Sequence, residues 1–382
     1  MIPYGHQDIQ QADIDAVVAV LRSDWLTQGP SVPRFEAAVA TKVGARYGVA
    51  VNSATSALHL ACLALELGPG DRLWTSPITF VASANCARYC GADVDFVDID
   101  PITRNLDPNA LEDKLEAAER LGQLPKVVVP VHFAGQSCDM AAIHALAERY
   151  GVRILEDASH AIGGADHQTP VGSCRYSDIT VFSFHPVKII TTGEGGMALT
   201  NDAALAPRMA RLRSHGITRE PDEMEGEKAG PWYYEQIELG YNYRLTDIQA
   251  ALGLAQLSRL DGYVARREAL AQRYDGRLAG LPLDIPTVAP GVRSAWHLYT
   301  VTLHDPARRR AVFEALRAAG IGVQVHYIPV HLQPYYRRLG FKPGDFPVAE
   351  DYASRTLTLP LHPGLTETEQ DRVVDRLMEA LE

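Results

Sequence analysis

Four places in this chain put chemically capable side chains where apolar, strand-like runs give way to turns. Lys188 follows Val-Phe-Ser-Phe-His-Pro-Val and precedes Ile-Ile-Thr-Thr-Gly-Glu-Gly-Gly, so its amine stands at the end of an apolar run. Desolvation lowers a lysine pKa, and the neutral amine can form a Schiff base with a carbonyl. The same position also suits a lysine that snorkels, its stem on apolar surface and its head in water. Asp157, in Arg-Ile-Leu-Glu-Asp-Ala-Ser-His, ends a second apolar run, where a carboxylate needs a partner to remain ionised. A protonated pyridine nitrogen is one such partner, and the pairing makes the ring a stronger electron sink. Capping the turn that follows is an alternative use. His160, three residues on, can stack or hydrogen-bond near the same ligand, or bridge backbone groups.

The third place is Val-Asn-Ser-Ala-Thr-Ser-Ala-Leu-His-Leu at 51–60, read as a strand end at Asn52/Ser53 and a helix start near Ser56. Backbone N–H groups and hydroxyls at a helix N-terminus can bind phosphate, although an ordinary Ser/Thr cap has the same composition. Neither a Gly-x-x-x-x-Gly-Lys-Ser/Thr loop nor a Gly-x-Gly-x-x-Gly turn occurs, which argues against a nucleoside triphosphate or a dinucleotide. The fourth is Trp-Thr-Ser-Pro-Ile-Thr-Phe-Val-Ala-Ser, where Phe80 offers a flat face for an aromatic ring or a core side chain. A Schiff-base lysine, a carboxylate for a ring nitrogen, a phosphate site and a stacking ring together make the set that pyridoxal 5′-phosphate requires.

These residues need a scaffold. Seven β-rich runs recur at Tyr47–Ser53, Asp71–Pro77, Asp93–Asp100, Lys126–Phe133, Val152–Ser159, Asp178–His185 and Gly196–Asn201. Helical segments such as Ser56–Glu66, Asp139–Tyr150 and Ala203–Ser214 separate them. Several runs are apolar at nearly every position, as in an α/β protein whose largely parallel sheet is covered on both faces. Ligands collect at strand ends in such sheets. Beyond Asn201 the pattern predicts helices at Leu245–Leu260 and Val264–Leu278, then a Pro/Gly-rich boundary at Gly280–Gly291. A small α+β unit follows: a strand at His297–Leu303, a helix at Ala307–Ala319, a strand at Gly322–Tyr327 and a final helix after Thr366. The expected division is a large domain of residues 1–260 and a small one of residues 261–382, with the N-terminal segment free to pack on the latter.

Length and composition agree with this reading. The 382 residues suit a large domain with a smaller companion. A net charge of −11 argues against general affinity for nucleic acid or anionic membrane. No apolar run is long enough to span a bilayer, and the first residues lack a signal peptide's basic start and apolar stretch. The five cysteines have no zinc-type spacing, so no metal site is expected, and buried thiols fit a reducing, cytoplasmic setting.

Asn-Ser-Ala-Thr-Ser-Ala-Leu, Glu-Asp-Ala-Ser-His-Ala, Ser-Phe-His-x-x-Lys, Thr-Thr-Gly-Glu-Gly-Gly and Leu-Gly-Tyr-Asn-Tyr-Arg-Leu-Thr-Asp-Ile-Gln-Ala-Ala occur in order along the chain. Together they resemble the DegT/StrS sugar-nucleotide aminotransferases over essentially the whole length. The resemblance implies the type I fold of pyridoxal phosphate-dependent aminotransferases, in a homodimer with shared sites. It implies Lys188 as the catalytic, Schiff-base lysine, Asp157 on the pyridine nitrogen, Phe80 stacked on the ring and His160 near its hydroxyl side. It further implies phosphate contacts from Ala54, Thr55 and Ser183, and Asn242 reaching across from the partner subunit. Dehydratases of the family replace the lysine by histidine, so Lys188 favours transamination with L-glutamate and 2-oxoglutarate. Trp-Leu-Thr-Gln-Gly-Pro at 25–30, His-Phe-Ala-Gly-Gln-Ser at 132–137, Gly-Pro-Trp-Tyr-Tyr-Glu-Gln at 230–236 and Val-Gln-Val-His-Tyr-Ile-Pro-Val at 323–330 resemble a subgroup. Its members are the UDP-4-amino-4,6-dideoxy-N-acetyl-β-L-altrosamine transaminases of pseudaminic acid biosynthesis, and like them this chain has His at position 160. A UDP-4-ketopentose or dTDP-4-keto-6-deoxyhexose aminotransferase would share the catalytic residues, and a regulatory protein could keep the fold. Expected substrate contacts are Tyr4, Thr27, Arg244, His326 and Tyr327, while His132 and His215 are either further lining residues or satisfied structural histidines.

Overall fold

The computed structural model describes residues 1–226 and 229–382. Seven strands form its main sheet: β1 (Tyr47–Val51), β2 (Arg72–Thr75), β3 (Asp93–Phe96), β4 (Val127–Val129), β5 (Arg153–Asp157), β6 (Ile179–Ser183) and β7 (Gly196–Thr200). Their spatial order is β1-β7-β6-β5-β4-β2-β3. The pairings β3–β2, β2–β4, β4–β5 and β5–β6 are parallel, whereas β7 runs against both β6 and β1. The chain is therefore mixed α/β with a mostly parallel sheet, as expected.

The strands are apolar throughout because successive side chains enter different cores. After α1 (Gln11–Leu21) and α2 (Ser31–Val43) come helices α3 (Ala54–Ala64) and α4 (Ala82–Tyr89), whose apolar residues join Val181 and Ala198 in one cluster. The neighbouring Phe182 and Leu199 join a second, which holds Phe35 and Val39 of α2. Every residue of β6 and β7 is buried. Covering both faces favours the near-continuous runs read from the sequence.

All seven predicted strands exist, shortened at their ends. The run Lys126–Phe133, for example, keeps only Val127–Val129, because Phe133 begins a tight turn in which Ala134 has φ +58°. The helix predicted from Ser56 begins at Ala54, capped by Ser53, whose Oγ accepts from Ser56 N at 3.1 Å. The run Leu245–Leu260 holds a helix at Asp247–Leu257 with a Thr246–Gln249 capping box. A 19-residue helix, Leu260–Leu278, follows directly.

One prediction fails: Gly322–Tyr327 is not a strand. Gly322 N donates to Ile2 O at 2.6 Å, and only Gln324 pairs with Thr358, as an isolated bridge. The strand in that place is Thr356–Leu359, which pairs with Tyr299–Leu303, itself flanked by Leu283–Asp284. Its Thr-Leu-Thr-Leu alternation puts Leu357 and Leu359 into a core with Val301, Leu316, Val373 and Ile2.

Gly196 fixes how closely α3 approaches the sheet. A Cβ at this position would lie 2.5 Å from both Ala54 N and Ser53 C, atoms of the helix start that have no room to yield. Gly196→Ala is therefore expected to cost about 1–3 kcal/mol of stability through overpacking, and to weaken whatever ligand the α3 N-terminus binds. Chemical unfolding and a pyridoxal phosphate titration of the same variant measure the two effects.

Candidate active site

Parallel strands deliver their C-terminal ends to one edge of the sheet, and a cavity with a volume near 490 Å³ opens there. It is lined by Ala54 and Thr55 from the start of α3, Phe80 before α4, Asp157 and His160 after β5, and Ser183 and Lys188 after β6. Tyr4, His326 and Tyr327 reach the same space. Of the expected site residues, only Asn242, Thr27 and Arg244 stand outside it. Asn242 is exposed, and Arg244 donates to Ser214 Oγ at 3.0 Å near the chain's start-side helices. Thr27 pairs with Thr246 in an isolated bridge.

Two further histidine candidates are corrected. His132 is fully buried beneath the site, its Nε2 2.6 Å from Glu156 Oε2 and its Nδ1 accepting from Cys138 N. Both ring nitrogens are thus occupied by protein groups, and none faces a ligand. His215 is exposed with φ +65°, away from the cavity lining.

Lys188 is only half-buried by area because its amine opens on the cavity, yet protein surrounds it on every other side. Burial penalises the ammonium form and lowers its pKa to about 8, an effect partly opposed by the Asp157 carboxylate. Burial likewise drives His160 well below the ordinary histidine range, with Lys188 adding to the effect, and takes His326 down to about 3. The imidazoles facing the lysine are therefore neutral.

Asp157 is 5% exposed. Ser83 Oγ donates to Oδ2 at 2.6 Å, while Ser159 donates to Oδ1 from its hydroxyl at 2.6 Å and its N–H at 3.1 Å. Among the described residues it has no salt-bridge partner. The sequence reading missed these two serines, although Ser83 stands one helical turn beyond Phe80 and Ser159 two residues beyond the aspartate. Phe80, by contrast, is 59% exposed, an unusual setting for a phenylalanine that lines a cavity.

The donors at the α3 start complete the arrangement. Ser56 N is used by Ser53 Oγ and Ala57 N by Ser53 O, which leaves the N–H groups of Ala54 and Thr55 as unpaired donors on the cavity wall. A buried carboxylate lacking a cation, free helix-start N–H groups, an amine with a low pKa and the unpartnered Nδ1 of His160 fit pyridoxal 5′-phosphate. These features define a site for pyridoxal phosphate.

The chain belongs to the DegT/DnrJ/EryC1/StrS aminotransferase family, whose model matches residues 7–378. It is 44% identical over 380 residues to the spore coat polysaccharide biosynthesis protein SpsC of Bacillus subtilis, covering 98% of this chain and 95% of that protein. Among solved structures it resembles PseC of Helicobacter pylori, an aminotransferase involved in the biosynthesis of pseudaminic acid. That match has a TM-score of 0.90 and 31% identity, and covers 100% of this chain and 99% of the other. It is equally similar to Spr1654 of Streptococcus pneumoniae, at 31% identity, whose PLP form matches with a TM-score of 0.90 over 100% of this chain and 98% of that one. Its PMP form has also been solved. The chain is a sugar aminotransferase that uses pyridoxal phosphate.

The pKa of Lys188 carries a prediction. Below about pH 8 the neutral fraction of the amine falls about tenfold per pH unit. Cofactor attachment to the apo-protein, followed by absorbance, is expected to accelerate up to that pH and level off above it. Borohydride reduction and peptide mapping should then find the label on Lys188; a pH-independent rate, or label on another lysine, contradicts the assignment.

Proposed function

We propose that this enzyme transfers the amino group of L-glutamate to the C4 ketone of a UDP-4-keto-6-deoxy-N-acetylhexosamine. The product would be UDP-4-amino-4,6-dideoxy-N-acetyl-β-L-altrosamine, a precursor of pseudaminic acid. The observation that carries the reading is the end-to-end similarity to PseC, supported by the motifs at 25–30, 132–137, 230–236 and 323–330. The higher identity to SpsC favours a second reading, in which a nucleotide sugar of other configuration is aminated for a surface polysaccharide.

In this proposal Lys188 is the catalytic residue that holds the cofactor and, when free, moves the proton at the substrate carbon as general base and acid. Pyridoxal phosphate supplies the electron sink when bound. Asp157 would pair with the ring nitrogen, and Ser83 and Ser159, which donate to its two oxygens, hold the carboxylate in place. The N–H groups of Ala54 and Thr55, with Ser183, would hold the phosphate; Phe80 would cover the ring and His160 would serve its hydroxyl side. Tyr4, His326 and Tyr327 line the space left for the sugar.

Asn242, Thr27 and Arg244 are assigned to the site of a partner subunit. Support comes from their position outside the protomer's own cavity and from exposed apolar side chains nearby, Trp232 at 75% and Leu239 at 77%. Such exposure on adjoining segments supports this assignment. The division into a cofactor domain of residues 1–260 and a small domain of residues 261–382 is likewise proposed. It is supported by the separate core around Tyr299, Val301, Leu357 and Leu377, although Leu260–Leu278 contributes to that core and to the sheet's.

Asp157→Asn is expected to keep bound cofactor but lose about two orders of magnitude in turnover, equivalent to about 2.7 kcal/mol of barrier. Near-normal turnover would place the ring nitrogen against another group. The substrate itself is tested by 2-oxoglutarate-dependent loss of amine from a panel of UDP- and dTDP-amino sugars. Preference for the altrosamine derivative is the expected result, and preference for a pentose or a dTDP-hexose overturns it.

A further inference from the structure

His297 is a residue that neither the motifs nor the expected site contained, yet it is the hydrogen-bond partner of Lys188 among the described residues, Nζ to Nε2 at 3.5 Å. It lines the cavity and is 5% exposed. Its ring lies 4.3 Å from that of His160, centroid to centroid. Its backbone is fixed by unusually close packing. A Cβ on Gly135 would meet Trp296 N at 2.7 Å and His297 N at 2.9 Å, and the flanking N–H groups of Ala295 and Leu298 donate to Gly135 O and Ala134 O. Behind it, the fully buried Arg267 donates to the carbonyls of Trp296, His297 and Leu361 without any carboxylate partner among the described residues. That guanidinium also opposes any positive charge on the imidazole.

The tautomer follows from hydrogen-bond accounting. His297 Nδ1 is buried and has no partner. A buried N–H without an acceptor is rarer and more costly than an unused lone pair, so in a neutral ring Nδ1 carries the lone pair and Nε2 the proton. The proton therefore points at Lys188.

We propose that His297 is a positioning residue for Lys188: its Nε2–H donates to the free amine and holds it as the neutral base, aimed into the cavity. This rests on the reading that Lys188 carries the cofactor. The contact would matter whenever the amine is free, first when the apo-protein takes up cofactor and again in each turnover when the lysine must accept a proton.

The other titratable groups around Lys188 are Asp157 from the end of β5, His160 from the turn after it, His326 and Tyr327, Tyr4 from the N-terminal segment, and His185 and Glu194 on either side of the lysine in the chain, with His6, Asp8, Tyr263 and Arg267 on its far side. None of them is altered by a substitution at position 297. Their contributions, and the ionisations of pyridoxal phosphate itself, therefore cancel when variants are compared.

The test is the pH midpoint for attachment of pyridoxal phosphate to the full-length apo-protein, with borohydride trapping to locate the label. His297→Phe keeps a flat ring against His160 but removes the donor, and should raise the midpoint by about half a pH unit or more. His297→Gln restores an N–H at a similar reach and should return it towards the wild-type value. A midpoint in the Phe variant equal to or below wild type overturns the proposal while leaving the role of Lys188 intact. Label on another lysine overturns that role and this proposal with it. Should His297→Phe not fold, the 15N shifts of the wild-type apo-protein decide, and a ring protonated on Nδ1 refutes the contact.

Discussion

Burying an unpaired carboxylate costs several kcal/mol unless protein groups replace its hydration, and the Asp157 environment is arranged around that constraint. The residue must be at the end of β5, because only a strand end lets a side chain leave a core that is otherwise apolar. Two hydroxyls and one N–H then satisfy its oxygens, and they come from different elements, Ser83 in α4 and Ser159 in the turn beyond the strand. α4 is consequently tied to the carboxylate as well as to the core, with Phe80 immediately before it. The donors lower the cost of burial without supplying a positive charge.

The same low-dielectric surroundings decide the charge of every base near it. An ammonium on Lys188 and imidazoliums on His160, His297 and His326 would repel one another at short range, and burial disfavours each of them. The result is a cavity in which the imidazoles beside Lys188 are neutral. The deeper His132–Glu156 pair shows the contrast. Glu156 accepts from Ser177 and from Thr180 Oγ1 at 3.0 Å as well as from His132, and burial leaves none of these groups a ligand to meet. His132 N also donates to Asp157 O at 3.0 Å, so this network braces the end of β5 from below.

Sheet strands and cofactor motifs were legible because both have local signatures. A strand buried on two faces leaves an apolar run, and a helix start that binds phosphate leaves a cluster of small and hydroxyl residues in the following turn. What was not legible is long-range. His297 meets Lys188 across 109 residues of chain, and nothing in Trp-His-Leu-Tyr marks the histidine as anything but the first residue of a strand. The misplaced strand at Gly322–Tyr327 has the same origin. Its Val-Gln-Val alternation matches the period of a strand, but Ile2 occupies the backbone of Gly322, and the place in the sheet goes to Thr356–Leu359. Gly196 was readable as part of a glycine-rich turn, but its purpose, room for the backbone of Ser53 and Ala54, required the antiparallel pairing of β7 to be known.

That pairing links the phosphate and amine ends of the site. Gly196 is in register with Val51 on one side and Ser183 on the other. The helix start at Ala54 therefore follows one end of a three-residue row, and Lys188 follows the other, five residues beyond Ser183. On the next strand Asp157 is in register with Val181, two residues before Ser183. Backbone hydrogen bonds thus set the spacing of the free N–H groups, the lysine and the carboxylate, with side-chain packing needed only to aim them. Catalytic groups must be held to within about an ångström to be useful, and a sheet row supplies that tolerance more reliably than loops that pack by side chains alone. Tyr4, His326 and Tyr327 line the same cavity but lie outside this row, on the N-terminal segment and on the stretch before Val330. The cavity wall therefore combines a part fixed by strand register with a part held by side-chain packing.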